Sequence, residues 1–174
     1  GVWQLRGRAA VTSELASLLE SRIDQLDDSS LQVLKLLTFC EPIDMDVLCE
    51  LVGDAAVDDA ETRGLVRISR EGQQFNVHYT HPLFGDVIRR RLGIASARRL
   101  RGQLVKALLG REVRTASERI RLAELSLDSD ESVDVDLLRQ AADDAISLAN
   151  VPMGERFAQA ALAGGGGFPA AFLL

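Results

Sequence analysis

Histidine and cysteine are scarce, two of each in 174 residues, and this removes most metal and nucleophile chemistry at the outset. Cys40 and Cys49 fall on the apolar sides of expected helices, where free cysteine is among the most buried residue types. Two reduced core thiols in a cytosolic protein are the expectation, with a disulfide or a metal pair as the alternative. His78 and His81 have the spacing of ligands on one helix, yet His78 falls in an expected strand and His81 at the following helix start. No cysteine or acid stands where it would complete a tetrahedral site, so no metal is expected. Long apolar runs are missing as well: no stretch reaches the roughly 18 residues of a membrane span. The opening Gly1-Val2-Trp3-Gln4 has no initiating Met, and the apolar core of a signal peptide does not come after it. This beginning and the apolar ending Phe172-Leu173-Leu174 are both expected to be cuts within a longer reading frame.

Catalytic signatures are absent too. The glycine run Gly164-Gly165-Gly166-Gly167 is followed by Phe168-Pro169, where a phosphate-binding loop needs Lys and then Ser or Thr, so it reads as a turn between helices. Gly-x-Ser-x-Gly does not occur, and both cysteines are expected in apolar helices rather than in electropositive surroundings. The acids Asp128, Asp130, Glu131, Asp134 and Asp136 have the density of a calcium loop but lack its central glycine and its distal glutamate. They read as a solvated loop before a helix N-terminus, where acids are favoured. The chain is therefore expected to be non-enzymatic.

What the sequence does contain is charge in an uneven distribution. The net charge is −6, yet residues 87–111 hold no acid and eight bases: Arg89, Arg90, Arg91, Arg98, Arg99, Arg101, Lys106 and Arg111. An acidic chain with one basic stripe points to a specific anionic partner rather than to general coating of nucleic acid. The stripe reads either as a solvated face whose Arg stems cover apolar surface, or as a contact for nucleotide, for an acidic domain surface or for nucleic-acid phosphates.

Periodicity sets the architecture, mainly α. After Ser13, Leu15, Leu18, Leu19, Ile23 and Leu26 come at helical spacing. Asp27-Asp28-Ser29-Ser30 breaks the chain and caps a second helix with Leu31, Leu34, Leu37 and Thr38 on one face, stopping before Pro42. Asp44 caps a third, carrying Val47, Leu48, Leu51 and Val52 and closed by Gly53; a short helix then runs to Gly64. The period changes to two over residues 65–69 and 74–79, a hairpin with its turn centred on Glu71-Gly72. Three short helices and a hairpin are the order of a winged helix-turn-helix, and Glu41-Pro42-Ile43-Asp44 has the length of its turn. A helix with Pro82 in its first turn comes next, buried through Leu83, Phe84, Val87 and Ile88. Gly93 ends it, and Ser96 caps the next, with Leu100, Leu104, Val105 and Leu108. From about Thr115, apolar residues around Leu122, Ala141 and Phe157 suggest antiparallel helical-repeat hairpins. The expected domains are a linker helix from a preceding domain over residues 1–27, a winged helix with a basic helical extension over 28–111, and the start of the repeats over 112–174.

Residues 65–109, above all Tyr79-Thr80-His81-Pro82-Leu83-Phe84-Gly85-Asp86-Val87-Ile88, resemble the winged-helix region of STAND-type signalling NTPases. More narrowly they resemble the large bacterial transcriptional regulators that end in a LuxR-type helix-turn-helix. There an aromatic strand leads into His-Pro-Leu, then into a helix ending in several Arg and an Arg-rich helix, the places held here by Arg89-Arg90-Arg91 and Arg98-Arg99-Leu100-Arg101. Gln140-Ala141-Ala142-Asp143-Asp144-Ala145 and Glu155-Arg156-Phe157-Ala158 look like the opening of tetratricopeptide-like repeats. The resemblance implies that the winged helix is a lid on an upstream NTPase domain holding ATP or ADP, with no cofactor bound by this segment itself. By the same resemblance, His81 senses nucleotide by contact with the β-phosphate of ADP. Pro82 departs from the His-Asp-Leu form of plant relatives and removes one N–H from that helix start. His81 as a helix cap alone is the competing reading.

Two functions are compatible with these features. In the first, the chain is a regulatory segment whose partners are its own NTPase domain, further repeats and an unknown inducer, with DNA bound by a separate domain and no membrane. In the second, it is a free-standing winged-helix DNA binder with a helical dimerisation tail. The helix that would read DNA carries Asp54, Asp58, Asp59 and Glu61 against Arg63 alone, which weighs against the second.

Overall fold

A computed structural model describes residues 13–111 and 115–165. The order of elements is α1 (Ser13–Asp24), α2 (Asp28–Leu37), β1 (Ile43–Asp44), α3 (Met45–Val52), α4 (Asp54–Thr62), β2 (Val66–Glu71), β3 (Gln74–Tyr79), α5 (Leu83–Arg91), α6 (Ile94–Leu109), α7 (Ala116–Leu127), α8 (Val135–Ser147) and α9 (Val151–Ala163). The protein is mainly helical with one small antiparallel sheet. Among the described residues no helix is long and apolar enough to cross a membrane.

The three strands lie in the order β1-β3-β2, with Ile43 opposite Val77 and with β2 and β3 paired from Val66↔Tyr79 to Glu71↔Gln74. This is the winged-helix arrangement, with a first short strand in addition to the expected hairpin. β1 escapes sequence reading because two residues have no alternation to detect; pairing with β3 makes it a strand. The hairpin turn lies one residue later than expected, at Gly72-Gln73. Gly72 adopts φ +64°, the left-handed value that the first position of a tight two-residue loop favours and that glycine takes without a Cβ penalty.

The helix starts follow from local chemistry. The Asp44 carboxylate accepts from the amides of Asp46 and Val47 at 3.0 and 3.2 Å and so starts α3. Thr115 and Glu118 form a reciprocal capping box at the start of α7, and Asp134 accepts from the Asp136 amide to start α8. Ser96 caps nothing: α6 begins at Ile94, with extended Gly93 as its cap residue. Two extended residues, Leu92 and Gly93, are enough to redirect the chain between α5 and α6, so α6 starts before the serine. Leu18 also departs from expectation and is 69% exposed, since the stripe through Leu19 and Ile23 faces the core and Leu18 lies about 100° around the helix from Leu19.

Two apolar clusters share α7. The larger gathers α2, α3, α4, the sheet, α5 and α6 around Leu34, Leu48, Val57, Phe84, Leu100 and Leu104, and takes Leu19 and Ile23 from α1 and Leu122 and Leu125 from α7. The smaller packs Ala123 of α7 with Ala141, Ala142 and Ala145 of α8 and Phe157, Ala158 and Ala161 of α9. α8 and α9 form a close hairpin around fully buried Phe157. Gly154 permits that approach, since a Cβ there would lie 2.6 Å from Cγ1 of Ile146 and 3.3 Å from the Ala142 carbonyl oxygen. Of the glycine run, Gly164 ends α9 and Gly165 has φ +94°, while Gly166, Gly167 and the rest of the C-terminal segment lie outside the described residues. The two chain ends read as cuts lie outside them as well.

Acids at the junction of α1, α2 and α4 couple this fold to pH. The Asp24 carboxyl is held below its usual range by its hydrogen bond from Arg91. The Ser29 hydroxyl, donating to Asp27, leads in lowering that carboxyl to about 2, and buried Ser30, donating to Asp59, lowers Asp59 together with Arg63. A carboxyl depressed in the folded state stabilises above its unfolded value, about 3.9, and that contribution is lost as pH falls through the folded value. The melting temperature, followed by circular dichroism, is therefore expected to decline between about pH 4 and pH 2, and Asp27→Asn is expected to flatten that decline.

Candidate functional site

Tyr79 ends β3 with its side chain buried, and the surrounding groups organise around it. Its hydroxyl donates to the Leu34 carbonyl and lies 2.8 Å from Oγ1 of Thr38, which itself donates to the same carbonyl at 3.1 Å. Burial pushes the Tyr79 phenol well above its usual range. Its amide donates to Oε1 of Glu41 at 2.9 Å. Its ring packs on Gly85 of α5, where a Cβ would come within 3.1 Å of Cε2. From the next turn of α5, Arg89 donates to the Thr38 carbonyl at 3.2 Å. These contacts tie the last strand, the end of α2 and the start of α5 to one another.

Arg121 of α7 then joins the helical hairpin to this framework. Its guanidinium donates to the Pro42 carbonyl at 2.7 Å and to the Glu41 carbonyl at 3.3 Å, and it approaches Sγ of Cys40 at 3.7 Å. Beside this bridge a groove of about 610 Å³ separates α5 from α7 and the α8–α9 turn. A second lobe of about 470 Å³ continues toward α6, and the two share Thr38, Phe39, Arg89 and Glu124.

The basic stripe is divided among several roles. Arg91 pairs with Asp24 of α1 at 2.6 Å, and Arg98 pairs with Asp130. Arg101 lies over the Phe39 ring, 4.4 Å from its centroid. Lys106 meets Glu131 at 3.0 Å, and Arg111 meets Asp44 and Glu50 at 3.3 and 3.6 Å. Arg89 faces the groove, and its second partner is Asp86 at 3.6 Å. Arg90 and Arg99 are exposed and have no partner among the described residues. Part of the acidic surface that the stripe was expected to meet is thus the chain's own α7–α8 loop. The acids of that loop are occupied there, with Asp128 bound to Arg156 and Asp134 used as a cap.

His81 is exposed just before α5, and its Nδ1 accepts from the Leu83 amide at 3.2 Å. That bond satisfies the free Leu83 amide at the first helical position and puts the ring proton on Nε2 in the neutral tautomer. His81 is not brought together with the Arg89–Glu124 groove, although Pro82 lines it. His78 is engaged elsewhere, with Nε2 lying 2.8 Å from the Ser69 hydroxyl across the hairpin. Among the described residues no group of three or more His, Cys, Asp or Glu could hold a metal. Both cysteines are free thiols. Burial raises the Cys40 thiol, and burial with the nearby acid Asp54 raises Cys49 to about 11, so neither is poised as a nucleophile.

Sequence reading missed Arg121 and Glu124. Both sit on a helix among apolar residues, Ile120, Leu122, Ala123 and Leu125, where a charged group spaced like its neighbours looks like an ordinary solvent-facing position. The one available signal is an arginine set between two apolar residues in a helix that turns buried faces to both sides. Replacing Arg121 by Ala leaves the Glu41 and Pro42 carbonyls without their charged donor. A loss of about 1–3 kcal/mol in urea unfolding is expected, and Arg121→Lys should recover part of it through a single point donor.

No family model, curated protein or solved structure matches this chain.

Proposed function

We propose that this chain is a non-catalytic regulatory segment of a nucleotide-gated transcriptional regulator. Its winged helix is a lid on an NTPase domain, and its helical hairpin begins a signal-sensing scaffold. The observation that carries the regulatory role is the outward face of α4, the helix that a DNA-reading winged helix lays in the major groove. Asp54, Asp58 and Glu61 are exposed there, while Arg63 is drawn back to Asp59 at 2.7 Å and toward Asp27 at 4.0 Å. Phosphates on either side of a groove repel such a face, so the module suits a protein or nucleotide surface better than a duplex.

His81 supports the nucleotide part of the reading. With Nδ1 engaged by the Leu83 amide, the neutral ring offers an N–H at Nε2 beside the positive end of α5. A phosphate oxygen of ADP is the acceptor that this arrangement suits. Arg90 and Arg99, without a partner among the described residues, add cations for a nucleotide or for an acidic face of the NTPase domain. Binding of DNA is assigned to a separate domain, and the setting is the cytoplasm.

In the intact regulator, His81→Ala is expected to weaken ADP binding several-fold and to raise transcription in the absence of inducer. ADP affinity and basal output both unchanged would refute the sensing role. The 174-residue chain alone is expected not to retard duplex DNA at low salt. A salt-dependent shift lost on replacing Arg98, Arg99 and Arg101 would instead make it a DNA-binding protein in its own right.

A further inference from the structure

We propose that the groove between α5 and α7 binds a small organic cation, an amine with an apolar body, whose ammonium group is held by Glu124. This goes beyond the nucleotide reading and does not depend on it.

The groove's volume, about 610 Å³, lies within the roughly 300–1,000 Å³ of small-molecule sites. Its walls come from distant parts of the chain, with Glu41, Asp86 and Arg89 on the winged-helix side and Arg121 and Glu124 on the side of α7. The two arginines first suggest an anion, but both are already engaged. Arg121 is bound by two carbonyls, and Arg89 by the Thr38 carbonyl and Asp86. An anion would have to compete with those partners for the guanidinium N–H groups, and with Asp86 for the charge of Arg89.

Glu124 is in the opposite state. Its side chain is half-buried, lines both lobes and has no partner among the described residues. A carboxylate withdrawn from water without a counter-charge is costly, and a cation placed beside it recovers that cost. The three acids against two arginines leave the groove with an excess negative charge, which fits one ammonium. An apolar body is met by Ile120, Met153 and Leu148, the last of them 59% exposed at the groove edge. A ligand held there touches both the winged helix and the hairpin, and so strengthens the junction that Arg121 makes.

The two methionines permit a direct test, since Met153 lines the groove while Met45 stands on α3. The full chain carrying ¹³C-methyl methionine is titrated with hexylamine and with spermidine, and separately with hexanoate as the anionic counterpart. The amines are expected to shift the Met153 methyl resonance saturably at or below about 10 mM, leaving Met45 unmoved, and hexanoate is expected to do nothing. Glu124→Gln, checked for an unchanged melting temperature, should weaken amine binding about tenfold or more, while Arg90→Ala, outside the groove, should not. A shift with hexanoate alone would make the groove an anion site and overturn the proposal. Amine shifts that persist in Glu124→Gln, or no Met153 shift with either amine over that range, would overturn it as well.

Discussion

The buried hydroxyl of Tyr79 has to be satisfied, and the partners it finds are at the end of α2. That requirement draws the last strand onto the Leu34 carbonyl and the Thr38 hydroxyl, because an unpaired phenol in the core costs more than the hydrogen bond gains in water. The rest of the junction depends on it. The ring needs the bare backbone of Gly85, which sets how closely α5 approaches. α5 in turn carries Arg89 to the Thr38 carbonyl. The Glu41 side chain takes the Tyr79 amide, leaving the Glu41 and Pro42 carbonyls turned toward Arg121. The winged helix and the helical hairpin are therefore connected through polar groups at the end of one helix, with a groove left open beside them.

Charge is organised on the same scale. A chain of net charge −6 with a dense basic stripe looks polarised in one dimension, but folding interleaves the two signs. Asp24 comes up to Arg91, Asp130 to Arg98 and Glu131 to Lys106. Exposed pairs of this kind contribute little to stability singly, and their larger effect here is to decide which cations remain available. Among the described residues Arg90 and Arg99 stay without a partner, as does Glu124 in the groove. The outward acids Asp54, Asp58 and Glu61 of α4 are a third feature without a counter-charge among the described residues, since Arg63 is turned back on Asp59. These residual charges, more than the totals, set what kinds of partner the surface can accept.

Much of the fold was legible in the sequence because its determinants are local. The period of the apolar residues marked the helices and the hairpin, Asp44 marked the start of α3, and Gly72 marked the turn to within one residue. The places where the pattern misled are those where local and tertiary demands part. Ser96 is a good cap residue that α6 does not use, because extended Leu92 and Gly93 already turn the chain. Leu18 is as apolar as Leu19 but lies off the buried stripe. β1 exists only through its partner Val77.

By itself, the sequence determined which segments are helix or strand, the winged-helix order, and the separation of a basic stripe from an acidic remainder. It could do so because periodicity, caps and turn residues act over a few positions. Only the tertiary structure decided that Arg121 grips the carbonyls of Glu41 and Pro42, that the acids near Asp130 neutralise part of the basic stripe, and that Glu124 lies unpaired in a groove. Those outcomes depend on contacts between residues tens of positions apart, and on which of several chemically equivalent charges the packing brings within reach of a partner. No local pattern encodes that choice; it is made by the packing of α5 and α7 around the end of α2.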